Sequence, residues 1–265
     1  MVSGWKTGRI GVSDGHLAYH RTGGTGPALL LSHGLTDNGL CWLRLAAALE
    51  PDFDIVMLDA RGHGESSRIP AGAAHDPADD VAEAIEALDL NLPIVMGHSV
   101  GARAIAAYAS AHPGSVSRVI LEDPPFLPLI DEATAARRKE RFREQVETFR
   151  TLSEDELIKR GKATSPAWHA DDFPAWAAAK KQVDPEAMPV YRQPWQQSIA
   201  AITAPTLLIH GDPALGSLVT PEIVEEALRL NRNFKAVLVR GAGHNTRREN
   251  FADYLSAVRA FLLGP

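Results

Sequence analysis

Hydrophobic and polar positions alternate along this chain in two rhythms. Short, mostly apolar runs at 28–31, 54–58, 94–96, 117–121, 205–210 and 235–240 have the length and make-up of strands buried on both faces of a parallel sheet. Between them the apolar positions take helical spacing. Residues 42–49 read as helix, and 76–90 carry Val81, Ile85 and Leu88 among acids as an amphipathic helix. The alanine-rich stretch 102–111 is a strong helix former. Thr220 as a cap, Pro221 and Glu222 open a helix to residue 230, and a last helix ends near residue 263. Near the start, 8–12 and 16–21 alternate around Ser13-Asp14-Gly15, where Asp-Gly favours a tight hairpin. The pattern predicts an α/β fold: an eight-stranded, mostly parallel sheet with helices on both faces.

One segment breaks the order. Over 127–200 a charged helix around Arg137-Arg138-Lys139-Glu140-Arg141 precedes Trp168, Phe173, Trp176, Tyr191 and Trp195, scattered among prolines. This reads as a helical cap over a core made of 1–126 and 201–265, supplying apolar walls to a pocket. An ordinary helical excursion with the tryptophans as its own small core has the same composition. The basic run suits a solvated helix face, from which one arginine could turn inward to an anionic substrate.

The chemistry centres on Gly97-His98-Ser99-Val100-Gly101, a G-x-S-x-G between a strand and a helix. Such a turn is so sharp that side chains at the flanking positions would collide, and it lifts the middle residue above the sheet edge. Ser99 is therefore a candidate nucleophile. The Val100 amide, at a helix N-terminus, is free to receive a developing negative charge. After the strand at 28–31, His33-Gly34 bends the chain so that the Leu35 amide can point into the same space, a candidate second oxyanion donor. His33 itself reads as structural, and so does His63 in the turn Asp59-Ala60-Arg61-Gly62-His63-Gly64. Trp42, Trp168 and Trp195 are candidate substrate-pocket residues.

Composition narrows the partners. The chain has 265 residues, 45% of them hydrophobic, enough for one large domain with an insertion. No run reaches the roughly 18 apolar residues of a membrane span, and Met1-Val2-Ser3-Gly4-Trp5-Lys6 lacks the pattern of a signal peptide. A cytoplasmic location is expected. The single cysteine, Cys41, excludes an internal disulfide and a multi-cysteine metal site. A net charge of −6 with both signs interspersed leaves no electrostatic footprint for nucleic acid, so a small molecule is the expected partner.

Taken together, the hairpin, the His33-Gly34 bend, the Asp59 to Gly64 turn, the Gly97 to Gly101 elbow, the cap insertion and the late Gly241-Ala242-Gly243-His244 resemble the α/β-hydrolase family over essentially the whole chain. The resemblance implies a Ser, acid, His triad in that order, two backbone oxyanion donors, and no metal or organic cofactor. It makes His244 the base. For the acid, most of the family uses the end of a Gly-Asp-x-Asp signature after the strand at 205–210, whereas this chain has Gly211-Asp212-Pro213-Ala214. Asp123, just past the strand at 117–121 and fixed by Pro124-Pro125, is the site that a minority uses; Asp212 is the alternative. One such subgroup resembles this chain in Gly-His-Ser-x-Gly-Ala-Arg and in the 24-residue step from Ser99 to Asp123, and hydrolyses (E)-2-(acetamidomethylene)succinate. The implied activity is a serine hydrolase of the esterase or lactonase type. Hydrolysis of carbon-carbon or amide bonds by the same triad is open, as is a slow-turnover ligand receptor of the same fold.

Overall fold

The computed structural model describes residues 4–73 and 75–264; Met1, Val2 and Ser3 of the N-terminal stretch considered above lie outside them. In chain order the elements are β1 (Lys6–Val12), β2 (Gly15–Arg21), β3 (Ala28–Ser32), α1 (Leu43–Leu49), β4 (Asp54–Leu58), α2 (Pro77–Ala87), β5 (Ile94–His98), α3 (Val100–Ala111) and β6 (Arg118–Glu122). There follow α4 (Glu132–Thr151), α5 (Glu154–Thr164), α6 (Asp172–Gln182), α7 (Trp195–Ala201), β7 (Thr206–His210), α8 (Pro221–Leu230), β8 (Phe234–Leu238), α9 (Thr246–Glu249) and α10 (Phe251–Leu263).

The eight strands form one sheet in the order β1-β2-β4-β3-β5-β6-β7-β8. β1 and β2 are antiparallel to their neighbours, and all other pairings are parallel. Leu30, Val56, Val95, Val119 and Leu208 point to one face and join a core with α2, α3 and α8. Leu29, Leu31, Ile55, Met57, Met96 and Ile120 point to the other and pack with α1 and α10. This strict alternation between two covered faces is why the strands read as continuous apolar runs.

Register places the site. Ser32 lies opposite Gly97, His98 opposite Glu122, and His210 opposite Leu238, so the carboxyl ends of β3, β5, β6, β7 and β8 finish level with one another. The loops beginning at residues 33, 99, 123, 211 and 239 therefore open on the same edge, where ligands bind in open α/β sheets.

The segment over that edge is built by α4, α5 and α6. Phe142, Val146, Val183 and Ala187 form its own apolar cluster with Ile69 from the core. α7 differs from the expectation drawn for 127–200. It packs on α3 and α8, with Ile199 in the main core and Trp195 stacked on Phe126 at 4.7 Å between ring centroids. Apolar residues on a short helix beside two core helices bury more area there than over a solvated pocket. Among the described residues no helix is long and apolar enough to cross a membrane.

Candidate active site

At the elbow, a Cβ on Gly97 would stand 2.5 Å from the Gly101 carbonyl, and one on Gly101 would stand 2.3 Å from the Ser32 carbonyl. Only glycine lets β5 turn into α3 this tightly. Ser99 takes the strain, with φ +52° and ψ −120°, a conformation that costs a non-glycine residue about 1–3 kcal/mol and is retained where the surroundings impose it. Its hydroxyl lies at the floor of a cavity of about 620 Å³ beneath the cap.

Three side chains meet at this floor. His244, on the loop after β8, has Nε2 3.1 Å from Ser99 Oγ, and its Nδ1 donates to Asp123 Oδ2 at 2.6 Å. Asp123 is fully buried and sits at φ +41° one residue beyond β6. Its other contacts come from the loop after β7: the Ser217 hydroxyl donates to it at 2.5 Å, and the Leu218 and Val219 amides at 2.9 and 3.2 Å. The loop that would carry the acid in most of the family thus supplies donors to Asp123. Asp212 is occupied elsewhere, accepting from the Ala214 amide at 2.8 Å at the start of a short 3-10 turn.

Leu35 and Val100 both line the cavity, and neither backbone amide donates to a protein acceptor among the described residues. His33 and His63 stay structural. His33 Nε2 accepts from the Ala60 amide at 3.1 Å, its Nδ1 donates to the Gly34 carbonyl at 2.8 Å, and His63 packs edge-on to it against the Leu35 carbonyl.

Two of the three tryptophans taken as pocket walls are not there. Trp42 is fully buried in the face made by α1 and α10, with Arg247 stacked 4.1 Å over its ring. Trp195 is committed to the core beside α3 as described above. Both are large apolar surfaces with core positions open to them, which sequence position alone does not reveal. Trp168 does line the cavity, stacked with Phe173 and edge-on to Trp176, so the cap's aromatic residues serve as its core and as a wall together.

Sequence reasoning missed a buried charge network around the floor. Asp37 accepts from Arg247 at 3.2 Å and Arg248 at 3.0 Å, and Lys180 of the cap helix α6 stands 3.6 Å away. Burial would raise the Asp37 carboxyl, but the Arg248, Lys180 and Arg247 cations hold it well below its ordinary value. Lys180 Nζ also donates to the Thr36 carbonyl and hydroxyl, each at 2.7 Å, tying the cap to the turn that carries the Leu35 amide. Burial pushes this lysine down to about 8, with Asp37 opposing. Glu122 accepts from Thr246 Oγ1 at 2.7 Å, the Arg247 amide at 3.1 Å and Arg247 Nη1 at 3.0 Å. Two adjacent acids at the end of β6 therefore orient His244: Asp123 holds its ring, and Glu122 holds the backbone that follows it. An acid closing a buried parallel strand has to find a partner, and that was the available signal.

His98 donates from Nε2 to the His244 carbonyl at 3.0 Å, and its buried Nδ1 has no partner. Burial pushes it down to about 3, so it stays neutral beside His244, and burial also lowers His33. The unfolded chain binds these protons near pH 6.5 while the folded chain refuses them, so stability is complete above that pH and falls below it. At pH 5, His98 alone removes about 2 kcal/mol, from ~1.4 kcal/mol per pH unit. Thermal melts should show Tm dropping by several degrees from pH 7.5 to 5; a flat Tm across that range contradicts this account.

The cavity wall is largely apolar, with Leu129, Ile130, Phe149, Trp168 and Val190 prominent. Three cations also reach it: Lys180 and Arg248, both engaged with Asp37, and Arg138 of α4. Arg138 is exposed, as expected for a solvated helix face, and has no ion-pair partner among the described residues; it stands at the edge of the cavity. Among the described residues no three His, Cys, Asp or Glu side chains gather as a metal site.

Known proteins resemble this chain in sequence and in fold. The chain is 27% identical over 262 residues to 2-(acetamidomethylene)succinate hydrolase of Mesorhizobium japonicum, covering 91% of this chain and 90% of that protein. It is 27% identical over 289 residues to N-formylmaleamate deformylase of Pseudomonas putida, covering 100% of this chain and 98% of that one. In structure it resembles an E-2-(acetamidomethylene)succinate hydrolase with a TM-score of 0.82 and 24% identity, over 98% of this chain and 100% of the other. A thermophilic esterase from Thermogutta terrifontis gives 0.75 and 24%, over 97% and 98% of the two chains. The model of the alpha/beta hydrolase fold family matches residues 27–246, from the entry to β3 through His244 to the start of α9, and so the chain belongs to that family.

Proposed function

We propose that this chain is a serine hydrolase that cleaves an acyl group from a small organic molecule through an acyl-enzyme on Ser99. The observation that carries the reading is the continuous chain from Asp123 through His244 to Ser99, with spacings of 2.6 and 3.1 Å. Asp123 accepts the Nδ1 proton, which leaves the Nε2 lone pair facing the Ser99 hydroxyl. As Oγ bonds to the acyl carbon, its proton passes to Nε2, and the carbonyl oxygen becomes an oxyanion between the Leu35 and Val100 amides. Collapse breaks the bond to the leaving group, which takes the Nε2 proton. Water then repeats the sequence, losing a proton to His244 and freeing the acid and Ser99. These steps call on no group beyond the chain's own residues and water.

For the substrate, the reading favoured is an ester or N-acyl bond on a molecule that carries a carboxylate, with carbon-carbon hydrolysis by the same triad as the alternative. Arg138, unpaired at the cavity wall, suits a carboxylate. The names of the two relatives describe an acetamido-substituted succinate and an N-formyl maleamate, each an N-acyl compound with carboxylate character. A lactone or simple ester is open to the same chemistry. The test is a fluorophosphonate probe followed by turnover assays on p-nitrophenyl esters, 2-(acetamidomethylene)succinate and N-formylmaleamate. Labelling at Ser99 with turnover of at least one class supports the proposal. Failure of labelling and of every substrate favours a receptor with this fold.

A further inference from the structure

Four arginines are buried among the described residues: Arg61, Arg103, Arg247 and Arg248. Three face carboxylates, with Arg61 3.1 Å from Glu83, Arg247 3.0 Å from Glu122 and Arg248 3.0 Å from Asp37. Arg103, one turn beyond Ser99 on α3, is 5% exposed and has no carboxylate within ion-pair distance among the described residues. Its Nη2 donates to the Gln193 carbonyl at 2.6 Å, and its guanidinium lies 5.1 Å from the centre of the Tyr191 ring and 5.8 Å from that of Phe126. Its Nη1 and the Tyr191 hydroxyl are both buried without a hydrogen-bond partner. A buried cation with no ion-pair partner, on which Asp76 acts only from beyond that distance, and a buried hydroxyl left unsatisfied are each costly. A single anion would satisfy both.

Arg103 and Tyr191 line a second cavity of about 520 Å³, between α2, α3 and the segment 189–193, with Nη1 and the hydroxyl covered beneath its surface. Ala104, Ala107 and Tyr108 give it an apolar floor, and Arg192 adds a second cation. Asp76 and Asp79 lie on its α2 side, both exposed, and the Asp76 carboxylate is engaged in capping α2 through the Ala78 amide at 3.0 Å. Ser99 and His244 do not line it, but Val100, Pro189, Val190 and Tyr191 line both this cavity and the catalytic one. The two spaces thus share a wall.

We propose that this second cavity is a binding site for a small carboxylate-bearing molecule, whose carboxylate bonds Arg103 Nη1 and the Tyr191 hydroxyl once the segment 189–193 shifts enough to uncover them. The planar guanidinium and the adjacent hydroxyl suit the flat, two-oxygen geometry of a carboxylate. Burial disfavours the charged form of Arg103, with Asp76 opposing from the α2 side of the cavity. The site is separate from the one that holds Ser99, and its occupant presses on the wall of that pocket without competing for its floor.

The test is binding, so it does not depend on whether Ser99 turns over any substrate. Sodium acetate and sodium succinate are titrated into the full chain against sodium chloride at matched ionic strength, following Tm. A saturable rise specific to the carboxylates is expected. In the Arg138→Ala background, which removes the carboxylate contact proposed for the catalytic cavity, Arg103→Met should abolish it, and Tyr191→Phe and Arg103→Lys should weaken it, Arg103→Lys by at least roughly tenfold in Kd. Arg138→Ala, which alters only the catalytic cavity, should leave it in place. If Arg103→Met fails to fold by circular dichroism, the other two variants decide. No difference from chloride, a rise that survives the Arg103 and Tyr191 variants in the Arg138→Ala background, or one lost with Arg138→Ala alone overturns the proposal.

Discussion

Ser99→Ala should lower kcat by about 10⁴- to 10⁶-fold while leaving the fold and substrate affinity nearly intact. The change removes one oxygen from a residue that already packs tightly, and alanine inherits the same strained elbow between Gly97 and Gly101. The Leu35 and Val100 amides remain, so some residual rate over the uncatalysed reaction should persist. The measurement is single-turnover and steady-state kinetics on whichever substrate the panel finds, with Tm as a control. Wild-type turnover by the variant would remove Ser99 from the mechanism altogether.

Asp123→Asn should lower kcat by about 10⁴-fold, and Asp212→Asn should change it by no more than a few fold. Asparagine keeps the shape of the carboxylate but can present an N–H toward His244 Nδ1, which favours the tautomer whose Nε2 carries the proton and cannot accept another. Ser217 and the amides of Leu218 and Val219 also lose a charged acceptor, so a drop in Tm should accompany the loss of rate. Asp212 holds only its own turn, and Thr220 still caps α8 without it. The reverse ranking of the two variants would mean that the loop after β7 rearranges in solution to present Asp212.

These two expectations rest on residues of differing legibility. Ser99 was visible because the elbow is a local motif, with its glycines, preceding strand and following helix all within a dozen residues. His244 was visible through its place after the last core strand. Asp123 stood beside Asp212 as an alternative, because the choice depends on which of two loops reaches the imidazole. The charge network of Asp37, Glu122, Lys180, Arg247 and Arg248 was not visible: its members come from four separated segments and meet only because parallel strands end in register. Trp42 and Trp195 show the opposite limit, since a tryptophan near a site in sequence is equally well placed to turn its ring into the core.

By itself, the sequence determined the order of strands and helices, the two-faced burial of the sheet, the elbow at Ser99 and the segment that interrupts the core. Those features follow from local periodicity, turn chemistry and capping, which neighbouring residues settle among themselves. Only the tertiary structure decided which acid meets His244, which aromatic residues face the pocket, which arginine borders it and which is buried with no ion-pair partner among the described residues. Side chains far apart in the chain compete for the same space and the same charges, and that competition is resolved by packing.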